Sequence, residues 1–345
     1  MTAAARQRRN DGVFLFIAAT IVLAILSVVA AVLIGVVDIP AADVLAVFRG
    51  GGSQTARTII LDIRLPRILT GVLVGIHFAV AGLILQTITR NPLADPSIMG
   101  VSQGATLAVG IFLLFAVYIH NPGSNTLVEL PVEWLPAVGM IGGLIAGGLI
   151  YALAIARDLG PLRITICGIA VGAVLQAVAV GLIAGWGSER IEVLLEWLSG
   201  SLYACTWRDV LLLLPFTVAG LAALPLLRRP VDLLRFEAPV ARSFGLSYRL
   251  QFSLALALAC FLAATAVSVV GPIVFVGLIV PHLARFLAGR HFSLVLPLTI
   301  ALGVITVTLG DLVGRVLGQA EEIPIGVVTA IFGVPVLIVL LRRTP

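Results

Sequence analysis

The feature that most constrains this chain is a succession of ten apolar runs, at 13–36, 66–89, 98–118, 134–155, 164–185, 208–227, 250–270, 273–288, 294–312 and 323–341. A bilayer core about 30 Å thick takes roughly 20 helical residues per crossing, because backbone groups in lipid must pair within their own segment. The runs therefore predict an all-α polytopic membrane protein with about ten transmembrane helices. Composition agrees. The chain is 60% hydrophobic and only 11% charged, too few charges to cover a water-facing surface. The 273–288 run is short and could join its neighbour. No fixed-period repeat or low-complexity segment appears, so residues 1–345 read as one membrane domain. The first run follows Arg6, Arg8 and Arg9. It exceeds a signal-peptide core and nine further runs follow, so it reads as a retained span.

Basic residues in short loops favour the cytoplasmic side. With the N-terminus inside, the inner side holds 15 arginines and 5 acids, and the outer side 7 arginines and 11 acids. Both termini are then cytoplasmic. The longest inner connection, 228–249, carries Arg228, Arg229, Arg235, Arg242 and Arg249. Against the bias, Arg49, Arg57, Arg64 and Arg67 lie in or beside the first outer loop. They either snorkel at a helix end or have a specific task.

All 22 basic residues are arginine. A phosphate-binding loop needs its lysine, so ATP is not hydrolysed in that way on this chain, and Schiff-base chemistry is excluded too. Cys167, Cys205 and Cys260 have no CxxC spacing, and the four histidines are scattered. Neither a disulfide framework nor a metal site is expected. Gly100-Val101-Ser102-Gln103-Gly104 matches a nucleophile pattern, but it opens a hydrophobic helix without a partner histidine. Close packing explains it better. Asp311 lies inside a span with Arg315 one turn later on the same face, so an ion pair is predicted. His77, Gln86 and Gln176 are polar groups within apolar runs, either pathway or interhelical glue. Glycines at four-residue spacing, including Gly139, Gly143 and Gly147, predict close helix contacts.

Seven motifs in order carry a family resemblance. They are Arg64-Leu65-Pro66-Arg67, Asn91 to Pro96, Gly100 to Gly104, Gly271 to Gly277, Val280 to Arg285, Asp311 to Arg315, and Ile323 to Val328. Together they resemble the FecCD family of ABC-importer permeases, which carry ferric siderophores, haem or vitamin B12. The resemblance implies a vitamin-B12-importer-permease-like fold in a bacterial inner or plasma membrane. It implies a second permease, identical or homologous, two ATPase subunits that hold ATP and magnesium, and an extracytoplasmic substrate-binding protein. No cofactor on this chain and no nucleic acid are implied. On this resemblance Arg64 and Arg315, braced by Asp311, sit on the outer rim and dock the binding protein. The 228–249 loop couples to the ATPase through Glu237, Ala241, Arg242, Gly245 and Leu246, with Glu237 one residue out of place. A short external helix spans 190–199, and Gln176 and Trp197 line the path. The Asn91–Pro96 and Val280–Arg285 segments look more like ferric-siderophore permeases than the vitamin B12 branch. An ion-coupled secondary transporter, the rival of another class, would need Asp311 or His77 as its coupling group.

Overall fold

The computed structural model describes residues 3–97, 99–115, 132–155, 160–184, 199–203, 205–289, 291–318 and 323–343. Every described segment of regular structure is helical. The helices are α1 (Ala3–Leu33), α2 (Ala41–Phe48), α3 (Gln54–Arg57), α4 (Leu65–Ile88), α5 (Val101–Leu113), α6 (Leu135–Ile155) and α7 (Pro161–Ala184). Then come α8 (Trp207–Leu234), α9 (Ala238–Ser243), α10 (Tyr248–Val270), α11 (Val276–Ala288), α12 (Phe292–Gly318) and α13 (Ile325–Arg343). Each apolar run coincides with one helix. Among the described residues, seven helical stretches are long and apolar enough to cross a membrane, while those at 101–113, 276–288 and 325–340 are shorter. The 273–288 run does not merge with its neighbour, since Gly289 at φ +85° separates α11 from α12.

Two boundaries differ from the sequence reading. The connection placed at 228–249 begins as helix, because α8 continues to Leu234 through Pro225 and Pro230. Proline is tolerated in apolar helices where neighbours re-satisfy the freed carbonyls. The true connection between α8 and α10 is therefore short, with α9 inside it. The second run also starts earlier. Helix begins at Gln54, capped by Ser53 Oγ accepting from Ala56 N–H at 3.2 Å, and Thr58–Arg64 winds as a π-helix leading into α4.

Contacts group the chain into two compact units, one of residues 1–83, 202–218 and 275–345, the other of 84–201 and 219–274. In the first, α12 packs on α1, α11 and α13. Gly75 on α4 meets Gly303 on α12 so closely that a Cβ at Gly75 would lie 2.6 Å from the Gly303 carbonyl oxygen. In the second, α6 packs on α5, α7 and α10. Its predicted glycine stripe works in register: Gly139 lies on Ser268, Gly143 on Ala264 and Gly147 on Cys260 of α10. Rising numbers meet falling ones, so the helices run antiparallel. Close backbone approach is the main attraction in lipid, where apolar burial gives little. Tyr151 and Ser253 add a 2.6 Å hydrogen bond between the same two helices.

Candidate functional site

The charged centre of the first unit is built from the ends of three helices. Asp311, near the end of α12, divides its carboxylate between two guanidinium groups. Arg67 of α4 donates to Oδ1 from Nε at 2.9 Å and from Nη2 at 2.6 Å. Arg315, one turn beyond Asp311, pairs with Oδ2 at 3.0 Å. Arg64, at the end of the π-helix, turns to the other partner, α1. Its Nη1 donates to the carbonyls of Val32 at 3.0 Å and Leu33 at 3.4 Å, and its Nη2 to that of Val37. Arg315 also donates to Ala31 O at 3.4 Å. The last carbonyls of a helix lack internal partners and carry partial negative charge. Two arginines therefore cap α1 and tie it to α12. Gly35 makes the approach possible, since a Cβ there would lie 2.6 Å from Arg64 Cζ.

The geometry alters the sequence reading in one respect. Arg64 and Arg315 are each only 4% exposed, Asp311 5% and Arg67 8%. The predicted Asp311–Arg315 pair forms, and Arg67, absent from the expected site, is its third member. The two arginines expected on the outer rim, Arg64 and Arg315, are buried and bonded within the first unit. Arg67 and Arg315 share the Asp311 carboxylate, while Asp38 acts electrostatically on Arg64.

The rival coupling groups are both committed. His77 is fully buried on α4, with Nε2 2.8 Å from Thr217 Oγ1. The hydroxyl proton of Thr217 goes to Leu213 O at 2.9 Å, so the ring nitrogen must donate to Thr217. That is interhelical glue. Gln86 is buried at 3%. Gln176 is half-buried on α7 beside the outward Val174 and Val178. Trp197 and nearly all of 190–199 lie outside the described residues. Ser102 is 2% exposed on α5. Its motif serves packing: Gly100 adopts φ +81° at the helix start, and Gly104 abuts Gly142 of α6.

The expected coupling segment is a six-residue helix in a tight turn. Glu237 occupies the N-cap position without a capping side-chain bond, and Gly245 at φ +79° closes the turn. Gly245 N–H donates to Arg242 O at 2.8 Å and Leu246 N–H to Ala241 O at 3.3 Å. Ala241 is fully buried. Leu246 is half-buried, while Glu237, Arg242 and Gly245 are exposed. Phe236, Val240 and Phe244 recur every four residues and are 39%, 44% and 57% exposed. The Arg235 guanidinium lies 4.7 Å from the Phe236 ring centre.

Comparison with known proteins gives a consistent answer. The chain is 35% identical over 327 residues to the ferric enterobactin transport system permease protein FepD of Escherichia coli (strain K12), covering 94% of this chain and 93% of that one. It is 37% identical over 293 residues to the cobalamin import system permease protein BtuC of Halobacterium salinarum, covering 85% and 75%. A solved structure described as a metal-chelate type ABC transporter, in an inward-facing conformation, superposes with a TM-score of 0.78 at 26% identity, over 97% of this chain and 99% of that one. Residues 22–343 match the FecCD transport family, and this chain belongs to it.

Proposed function

We propose that the chain is the membrane-spanning permease subunit of an ABC importer that moves a ferric siderophore across a bacterial plasma membrane. The observation that carries this is the match along nearly the whole chain to permeases of iron and siderophore uptake. An extracytoplasmic binding protein delivers the chelate, and separate ATPase subunits, binding ATP and magnesium, drive opening and closing. Both termini lie in the cytoplasm and ten helices cross the membrane. The exposed stripe of Phe236, Val240 and Phe244, with Glu237 and Arg242 beside it, suits insertion into a groove on the ATPase. Gln176 faces the path, and α7, with Leu162, Ile166, Ile169 and Val174 all exposed, packs against the second permease. The binding protein docks on Arg64 and Arg315, which must loosen their present bonds to reach it. Rim charges of this kind set encounter rate and orientation more than affinity.

The deciding experiment is radio-iron uptake, offered as several siderophore chelates, in cells with and without the gene. Loss confined to one chelate class names the substrate. Unchanged iron uptake removes the ferric assignment, and cobalamin follows, as the 37% identity to a cobalamin permease favours it next.

A further inference from the structure

One end of the second unit gathers a phenol and two guanidinium groups. Tyr248, the first residue of α10, is only 3% exposed. Its ring packs on Phe252 one turn on, with centroids 5.9 Å apart. Its hydroxyl is buried and has no hydrogen-bond partner among the described residues. A buried O–H without an acceptor is costly, and most such groups in folded proteins are paired. Arg90, two residues past the end of α4, and Arg242, in the turn helix α9, both act electrostatically on this phenol. Both arginines are exposed, and neither guanidinium makes a hydrogen bond or ion pair among the described residues. All three residues belong to the second unit. Two uncommitted cations beside one buried donor have the chemistry of an anion site.

We propose that Arg90, Arg242 and Tyr248 bind a phosphate group at the cytoplasmic surface, carried by an anionic lipid or free in solution. The proposal rests on the importer reading above, whose orientation puts this end of α4 and α10 inside. Three donors on three separate side chains match the three acceptor oxygens of a phosphate group, whereas a carboxylate offers two. Guanidinium forks bond phosphate oxygens in parallel pairs, and the remaining oxygen accepts the Tyr248 O–H. Both arginines can take the anion without breaking any bond they already have. The position admits either source. α4 and α10 belong to stretches long and apolar enough to cross a membrane, so the cluster lies where two spans reach the headgroups. Bound there, a phosphate fastens the α9 turn, which carries the exposed Phe236, Val240 and Phe244, to the end of α4.

The test uses the purified full chain, with the subunits that copurify, in a neutral detergent, and two probes. Native mass spectrometry reads retention of phosphatidylglycerol against phosphatidylcholine. Amide exchange reads protection at residues 238–247 as inorganic phosphate is added at constant ionic strength. The wild type is expected to respond to at least one probe, and Arg90→Gln with Arg242→Gln should weaken that response about tenfold. Tyr248→Phe should weaken it about threefold without lowering the melting temperature measured with neither probe, because it deletes a buried hydroxyl that has no partner. Arg228→Gln with Arg229→Gln removes the same charge from exposed residues of α8 and should leave the response intact. Retention of phosphatidylglycerol alone names a lipid headgroup, and protection by phosphate alone names the free anion. No response in the wild type would overturn the proposal, as would an equal loss in the Arg228 and Arg229 variant. So would changes at Arg90 and Arg242 that act only by releasing the copurified subunits, since the cluster would then be a protein contact. A chain that binds a probe through these residues yet moves no chelate removes the importer reading alone. Chelate uptake with neither probe bound removes this site alone.

Discussion

Asp311→Asn removes a negative charge that two buried arginines share. Arg67 and Arg315 meet its carboxylate at 2.6–3.0 Å, and all three side chains are less than a tenth exposed. At an effective dielectric of about 20, unit charges 4 Å apart attract by roughly 4 kcal/mol each, and desolvation cancels much of that. The loss from breaking the cluster is larger than the net value of making it, since the arginines stay buried once the carboxylate they share is neutral. Removing one partner of such a pair costs about 3–5 kcal/mol. Domains of 150–250 residues lose roughly 2–4 °C per kcal/mol, and a longer chain somewhat less, so the melting temperature in detergent should fall on the order of 5–10 °C. Fluorescence-detected size exclusion after heating reads this directly. Arg67→Met should cost less, because Arg315 keeps Asp311 within its own helix. In the double variant Arg67→Met with Asp311→Asn, the second change should add less than it costs alone. A drop below about 2 °C for Asp311→Asn, or strict additivity in the double variant, would refute the argument that a desolvated cluster pins α4 to α12.

Three further outcomes follow from the geometry. Thr217→Val leaves the buried His77 Nε2–H without its acceptor and should cost about 1–3 kcal/mol in stability. Uptake by the surviving protein should remain insensitive to a protonophore while ATP stays high; sensitivity would revive ion coupling through His77. Asp95, in the loop after α4, accepts from Ser97 N–H at 2.7 Å and also from its hydroxyl, yet burial pushes its carboxyl above the usual range, the two hydrogen bonds only partly opposing. A carboxyl raised on folding binds its proton more tightly in the native state. It therefore contributes stability below its unfolded pKa of about 3.9, and loses that contribution as pH rises through the raised value. Asp95→Asn should raise the melting temperature more at pH 7.5 than at pH 4.5, and an equal change at both would contradict the burial cost. Ser102→Ala should leave uptake unchanged, because its hydroxyl is buried in α5 and performs no chemistry; loss of uptake with an intact fold would reopen the question of a nucleophile.

The parts of this fold legible in the sequence are those that lipid or a single helix dictates. The apolar runs mark helices because a segment in a membrane must satisfy its own backbone. The Gly139, Gly143 and Gly147 stripe marks the α6–α10 contact because only small residues let backbones approach. Asp311 and Arg315 find each other because four residues make one turn. What was hidden depends on distance along the chain. Arg67 reaches Asp311 across 244 positions, and no local pattern announces it, although its place three residues after Arg64 puts both near one face of the same helix. The commitment of Arg64 to α1 depends on the π-helix at Thr58–Arg64, which shifts the register of everything before α4. That departure leaves backbone acceptors open, and Trp207 Nε1 takes one of them, Leu61 O, at 2.9 Å. Leu65 N–H is taken by Ile60 O and Pro66 has no N–H to offer, so Trp207 is the donor that satisfies Leu61 O in the widened turn. Trp207→Phe should therefore let the turn tighten and rotate Arg64 away from Val32 and Leu33, detaching the end of α1. Faster amide exchange at residues 30–37, with α12 unchanged, is the expected signature. Exchange at wild-type rates there would show that Arg64 is held by its own contacts and that the π-helix only accommodates them.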